Sequence, residues 1–281
     1  SLTLIAADAL RVPSERIVDW LAAAWICLVV LAYGAVLWPY VEVPSPFMRV
    51  LGPVGNIEFF ASISQWRFAE VQGFLGFALP RPAAPFGGSN GWGAAMGLLT
   101  PFFIRSWLVN ANGSRRARGI ALLMLGVYPV IVSVNRGLWM SLSLALVYFA
   151  ARKALRGQFG PIAVLLVAMA LVAVLLVVTP AGSLVSDRLT QRSNDTRGNL
   201  YELAYEGALE SPLIGNGAPT RAPELPKTAP PVGTHGMLWY LMFIHGFVGL
   251  GLFVAWMAVE VVRSGRIRTP LGWWTHLSLV I

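Results

Sequence analysis

The sequence predicts an all-α integral membrane protein, a multi-span helical bundle with a partly helical loop domain outside the cytoplasm. Composition is the first reason: of 281 residues, 56% are hydrophobic and only 12% are charged, and the mean hydropathy is +0.65. A soluble domain of this length needs more charge to cover its surface. The second reason is that the apolar residues come in blocks of about 15 or more, which is typical of spanning helices.

Six apolar segments are predicted to be spans. They are 17–38, 92–109, 120–134, 137–151, 161–179 and 237–262. A further apolar run begins near Leu271 and stops after 11 residues, at the last residue of the sequence. We therefore interpret residues 1–281 as a single membrane domain of six to seven spans, forming part of a longer protein.

Basic loops set the predicted topology. Three of them alternate with the spans: Arg115, Arg116 and Arg118; Arg152, Lys153 and Arg156; Arg263, Arg266 and Arg268. Placing all three in the cytoplasm satisfies the positive-inside rule. The net charge of +8 is then explained by topology and anionic lipid, and no basic stripe indicates nucleic-acid binding.

Between the basic loops, residues 118–152 are predicted to form a hairpin. As one helix they would rise about 50 Å, and basic clusters would lie on opposite sides of the membrane. The turn at 134–137 places Arg136 at the outer headgroup level. Pro129 is expected to kink the first arm.

Two long segments, 39–91 and 180–236, then lie outside. Within the first, residues 56–79 mix apolar and charged side chains, and we interpret them as an interfacial amphipathic helix. Within the second, a helix is predicted to begin at the Asp195-Thr196 pair and to end at Ser211-Pro212. A turn follows at 215–217.

Arginines near the outer surface are the main candidates for chemistry. Arg136, beside Asn135, could grip a pyrophosphate with both prongs of its guanidinium; the alternative is an arginine that only reaches lipid phosphates. Arg197 lies at the predicted start of the loop helix, where backbone N–H groups also favour an anion. Arg188 and Arg192 are weaker candidates for substrate binding, because they directly follow a membrane exit.

A base is also available. His235 precedes the 237–262 span, and a neutral imidazole there could accept a proton. His245, inside the span, ranks second, and His276 is interpreted as structural. No metal site or cofactor is predicted, since Cys27 is alone and the histidines and carboxylates form no ligand-spaced cluster.

The order of these features resembles the bacterial O-antigen ligase and O-antigen polymerase superfamily, over roughly residues 80–262. Four segments carry the resemblance: 85–91 (Pro-Phe-Gly-Gly-Ser-Asn-Gly), 133–137 (Ser-Val-Asn-Arg-Gly), 211–217 (Ser-Pro-Leu-Ile-Gly-Asn-Gly) and 246–250 (Gly-Phe-Val-Gly-Leu). This sequence departs from the family where Gly236 follows the histidine and where His245 replaces a glutamate.

The resemblance implies a metal-independent, inverting glycosyltransferase in the bacterial inner membrane, with its active site facing the periplasm. The donor would be a glycan on undecaprenyl pyrophosphate, and the acceptor a sugar hydroxyl. By matching motif, Arg136 and Arg197 would bind the pyrophosphate, and His235 would remove the acceptor proton. A ligase, which transfers to the lipid A core in lipopolysaccharide assembly, and a polymerase, which transfers to another glycan repeat, both fit; we prefer the ligase.

A transporter or flippase of lipid-linked sugars is the alternative from another class. It would also place arginines in a cavity, but such proteins typically carry charges in several spans and repeated halves. Here only Asp19, Arg105 and Glu260 fall within predicted spans, and no repeat is visible. A structural scaffold would explain the spans but not the arginine and histidine residues of the loop.

Overall fold

The computed structural model describes residues 12–44, 50, 52–53, 65–73, 78–178, 193–223, 225, 230–234, 236–267 and 269–281. The chain is mostly helical, as predicted. Its main helices are α1 (Ser14–Leu37), α2 (Ser89–Ile104), α3 (Gly113–Val132), α4 (Arg136–Ala154), α5 (Gly160–Val178), α6 (Ser193–Glu210), α7 (Met237–Arg266) and α8 (Pro270–Val280). Two compact units are present, the first formed by Ser1–Arg188 and Ile267–Ile281 and the second by Leu189–Arg266.

Every predicted apolar segment lies on a helix. Among the described residues, two helices are both long and apolar enough to cross a membrane, α1 and α7. For the other predicted spans, the crossing stays a prediction.

The core of the first unit lies where α1 packs on α2. The rings of Trp25 and Phe103 stack with centroids 4.0 Å apart, and the indole Nε1 of Trp25 donates to Thr100 Oγ1 at 3.0 Å. Gly126 of α3 permits this packing, because a Cβ there would lie 2.9 Å from the Trp25 ring. A tight aromatic core of this kind fixes the helix positions around it.

The cytoplasmic end predicted for α2 continues as a π-helical turn, Arg105–Val109. It places Arg105 against Glu15 at 2.8 Å. The neighbouring Arg115, on α3, pairs with Asp19 at 2.9 Å and lies over the ring of Trp107. The charge of Arg105 inside a predicted span is thus explained by its partner on α1.

In the segment 39–91, predicted to be external, residues 65–72 do not form the helix expected at 56–79. Residues 56–64 lie outside the described part of the chain, but Gln65–Arg67 and Ala69–Gln72 are strands β2 and β3. They pair antiparallel with β1 (Glu42–Pro44) and β4 (Leu79–Pro82), respectively. Polar residues alternate with apolar or aromatic ones over 65–68 and again over 69–72, and this two-residue period favours strands over a helix. The all-α prediction therefore missed two small sheets.

In the second unit, α6 packs on α7. Helix α6 starts at Ser193, ahead of the predicted Asp195-Thr196 start, and ends at Glu210 as expected. Helix α7 is broken at Gly246, whose φ of 64° and ψ of −173° are not helical. The predicted span 237–262 is thus two helical pieces. The second piece, 247–266, is about 30 Å long at 1.5 Å per residue, enough to cross a hydrocarbon core on its own.

Candidate functional site

The predicted hairpin turn at 134–137 is present, and it is a constrained structure. Helix α3 ends at Val132 and α4 begins at Arg136. Between them Val134 is buried and has a φ of 47°, which is a strained conformation for a β-branched residue. Arg136 is the first residue of α4 and is half-buried.

Asn135 caps α4 and ties the turn to another helix. Its side-chain oxygen accepts from the backbone N–H of Leu138 at 3.1 Å, which satisfies one unpaired donor of the helix start. Its Nδ2 donates to the backbone oxygen of Ser89 at 3.2 Å. Gly93 makes room for this amide, because a Cβ there would collide with Asn135 Nδ2. The segments 85–91 and 133–137 are therefore one junction in space.

A buried arginine that the sequence analysis did not select reaches the same turn. Arg81, on β4, is 4% exposed. Its Nε donates to the backbone oxygen of Ser133 at 2.6 Å, and its Nη1 donates to Gln72 Oε1 at 2.7 Å. The oxygen of Ser133 lies at the carboxyl end of α3, where carbonyls lack partners within the helix and a cation is favourable.

Glu70 completes the network from β3. Its Oε2 accepts from both the backbone N–H and the hydroxyl of Ser89, each at 2.8 Å. Burial alone would raise the pKa of the Glu70 carboxyl. The hydrogen bonds from Ser89, the charge of Arg81 and the amide of Gln72 outweigh it, so the pKa lies below the ordinary value. The carboxylate is ionised and caps the start of α2, a favourable position for a negative charge.

A sequence signal for this network exists. Glu70 and Arg81 are direct partners in the β3–β4 register, and opposite charges facing each other across a ladder stabilise strand pairing. Because residues 56–79 were interpreted as a helix, the pairing of Glu70 with Arg81 was not predicted.

The second unit joins the other two motif segments in the same way. Phe247 N–H donates to the Pro212 oxygen at 2.7 Å, and the N–H groups of Asn216 and Gly217 donate to the oxygens of Phe243 and Ile244 at 2.8 and 3.0 Å. The loop after α6 thus supplies partners for backbone groups left unpaired by the break in α7.

Two glycines make this approach possible. A Cβ on Gly246 would lie 2.6 Å from the Pro212 oxygen, and one on Gly215 would overlap the backbone of Ile244. Both have positive φ, 64° and 69°. Gly215 and Gly246 are therefore required by close backbone contact.

The predicted site residues stand as follows. Asn135 and Arg136 share the turn described above. Arg197 is the fifth residue of α6, one turn past its start, so the expected position at the helix N-terminus is wrong. His235, Arg188 and Arg192 lie outside the described residues. Convergence of Arg136, Arg197 and His235 on one pocket stays a prediction.

The other two histidines differ from each other. His245 is exposed, one residue before the break in α7. His276 is buried on α8, with its Nε2 2.6 Å from the Tyr148 hydroxyl. Its interpretation as structural agrees with this position. Over the described residues, no group of three or more histidine, cysteine or acidic side chains could hold a metal ion.

Comparison with known proteins gives one match. The sequence model of a family described as O-Antigen ligase matches residues 119–254, a range that includes both the Asn135–Arg136 turn and the break in α7. No curated protein and no solved structure matches the chain. The match confirms the resemblance to this family, and three of the four motif segments, 133–137, 211–217 and 246–250, lie within it. The segment 85–91 lies outside the matched range.

Proposed function

We propose that this chain, whose residues 119–254 match the sequence model of the O-antigen ligase family, moves a glycan from undecaprenyl pyrophosphate to a sugar hydroxyl. The family supports an O-antigen ligase-like glycosyltransferase with a lipid-linked glycan and an acceptor as partners, and the apolar helices support a membrane location. In the proposal the transfer takes place at the outer face of the plasma membrane and the acceptor is the lipid A core.

The arrangement of Arg136 is the observation that carries this proposal. A cation at the first position of a helix is unfavourable for that helix, since the N-terminus already has a partial positive charge. Yet Arg136 stands there, at a turn fixed by buried hydrogen bonds. A guanidinium at a helix N-terminus is a favourable site for a diphosphate.

The proposed reaction is a single displacement. The acceptor oxygen forms a bond to the anomeric carbon, the bond from that carbon to the phosphate oxygen breaks, and the configuration inverts. Undecaprenyl pyrophosphate leaves with the electron pair, and Arg136 and Arg197 stabilise its growing charge. His235 accepts the acceptor proton. Asn135 holds Arg136, and Arg188 and Arg192 add positive charge for the donor.

No metal ion or cofactor is needed in this scheme. The leaving group is already an activated phosphate ester, so binding energy, charge stabilisation and one base suffice. The flippase alternative is not favoured by the family match.

The test is mass analysis of products after the purified chain is mixed with a polyprenyl-pyrophosphate glycan and lipid A core or glycan acceptors. His235→Ala should lower transfer by about 10²- to 10⁴-fold, the usual effect of losing a general base. His245→Ala, at an exposed position on α7, is the control and should transfer normally. Transfer that survives His235→Ala but not His245→Ala would contradict the assignment of the base.

Arg136→Lys tests the donor site. An ammonium cannot reproduce the two-pronged contact, so donor affinity should fall by about tenfold or more. Arg263→Lys is the matched control, because the side chain of Arg263 is 73% exposed and pairs only with Glu260 on its own helix among the described residues. If the purified chain carried the donor across liposomes and formed no glycosidic bond, the enzyme proposal would fail.

A further inference from the structure

The residues at the α3–α4 turn are joined by hydrogen bonds into a closed ring. From one side, Arg81 donates to the Ser133 oxygen. From the other, Glu70 accepts from Ser89, and the oxygen of Ser89 accepts from Asn135. The two arms are joined through Gln72, whose Oε1 accepts from Arg81 Nη1 and whose Nε2 donates to Glu70 Oε1.

This ring encloses a strained piece of backbone. Val134, between the two anchored residues Ser133 and Asn135, has a φ of 47°. Such a conformation persists only when its surroundings over-determine it. Here Ser133 is held by the side chain of Arg81, and Asn135 is held by its own amide, which donates to the backbone oxygen of Ser89. The next residue in the chain is Arg136.

The anchors are also well shielded. Arg81 is 4% exposed, Ser133 0% and Asn135 8%. Water therefore competes weakly for these hydrogen bonds, and a charged donor makes the bond from Arg81 to Ser133 one of the stronger kind. The turn is held by the external sheet and not by the hairpin alone.

We propose that Glu70 and Arg81 are positioning residues for transfer, which fix the α3–α4 turn so that Arg136 meets the donor pyrophosphate in one geometry. This rests on the proposed function of Arg136. Neither residue touches the donor; both act through Ser133 and Ser89. A purely structural pair would hold the sheet on the bundle and leave the catalytic geometry unaffected.

The experiment measures kcat and KM for a polyprenyl-pyrophosphate glycan donor with the whole chain in lipid nanodiscs, together with thermal unfolding. Arg81→Lys keeps the charge but replaces the two separate donor nitrogens, Nε to Ser133 and Nη1 to Gln72, by a single nitrogen. Glu70→Gln keeps the shape and loses the charge that accepts both donors of Ser89. Each variant should lower kcat/KM by about tenfold to a hundredfold, the usual effect of displacing a substrate-positioning group by about 1 Å.

The control is Arg105→Lys. It alters a comparable arginine, paired with Glu15 at 2.8 Å and 11% exposed, elsewhere in the same unit. It should leave kcat/KM within about twofold, because surface-linked ion pairs of this kind contribute little. If Arg81→Lys does not yield folded protein, Glu70→Gln carries the test alone.

A double-mutant cycle separates positioning from stability. If Arg81 acts through Arg136, adding Arg81→Lys to Arg136→Lys should cost less than it costs in the wild type. The inference is overturned if the fold-loss in kcat/KM of the double variant equals the product of the two single losses. It is also overturned if Arg81→Lys and Glu70→Gln both transfer at the wild-type rate. Either outcome leaves the proposed function intact. Normal transfer by Arg136→Lys alone overturns the role of Arg136, and the positioning inference with it.

Discussion

Replacing Gly246 by alanine tests the junction between the α6–α7 loop and the broken helix. Gly246 has a φ of 64° and a ψ of −173°, a region that almost only glycine occupies. An added Cβ would lie 2.6 Å from the Pro212 oxygen and 2.7 Å from the Leu213 carbonyl carbon. Both neighbours are backbone atoms, so no side-chain rotation relieves the contact.

The expected loss of stability has two parts. The unfavourable backbone conformation costs about 1–3 kcal/mol for a residue with a Cβ. Moving the loop away weakens hydrogen bonds such as Phe247 N–H to Pro212 at 2.7 Å and Asn216 N–H to Phe243 at 2.8 Å. One or two lost bonds add about 1–3 kcal/mol. The free energy of unfolding should therefore fall by about 2–6 kcal/mol.

Gly251→Ala is the matched control on the same helix. Gly251 has nothing within 4 Å of an added Cβ and no positive φ, so alanine should raise stability by about 0.5–1 kcal/mol. The assay is equilibrium unfolding of both variants in the same detergent, with amide hydrogen exchange at Asn216 and Phe247. The reasoning is refuted if Gly246→Ala has the same free energy of unfolding as Gly251→Ala and the same exchange protection at both amides. The contact between the loop and the broken helix would then not stabilise the structure.

Two further predictions concern the α3–α4 turn. Gly93→Ala should displace the Asn135 amide and cost about 1–3 kcal/mol of stability, as overpacking usually does; a thermal unfolding curve like that of Gly251→Ala would contradict it. The lowered pKa of Glu70 means that its contribution to stability is present above the unfolded-state pKa and is lost as pH falls through the folded one. Unfolding measured across the acid range should show this loss in the wild type and a weaker one in Glu70→Gln.

The helices could be predicted from the sequence because long apolar runs admit few other structures. The hairpin turn before Arg136 was predicted from the length of residues 118–152 and from the basic clusters at both ends of that segment. The structure has the turn at the predicted position. The break at Gly246 was missed, since an apolar run has the same composition whether the backbone is continuous or not. Only the partner loop, with Gly215 close to Ile244, reveals why the break is tolerated.

The external sheets were missed for a different reason. An interfacial helix at 56–79 was predicted because it keeps the predicted orientation of the later spans. This reason was given more weight than the alternation of polar and apolar residues within 65–72. The buried Glu70–Arg81 pair was lost with that choice. Arg136 and Asn135 were found because they directly flank a turn, whereas Arg81 acts from 52 residues away along the chain.

The four motif segments that resemble the superfamily are joined in pairs. Segment 85–91 meets 133–137 through Ser89 and Asn135, and segment 211–217 meets 246–250 through Pro212 and Phe247. Within these junctions, most of the matching residues are glycines and polar caps that satisfy backbone groups. The resemblance is therefore mainly to a scaffold that fixes a turn and a helix break. In the proposed reaction, we expect the choice between a lipid A core and another glycan repeat to depend on side chains outside both junctions. Exchanging residues of the 218–234 loop with those of a characterised polymerase should then change the acceptor while kcat/KM for the donor stays constant, whereas a change in donor use with an unchanged acceptor would place the acceptor site elsewhere.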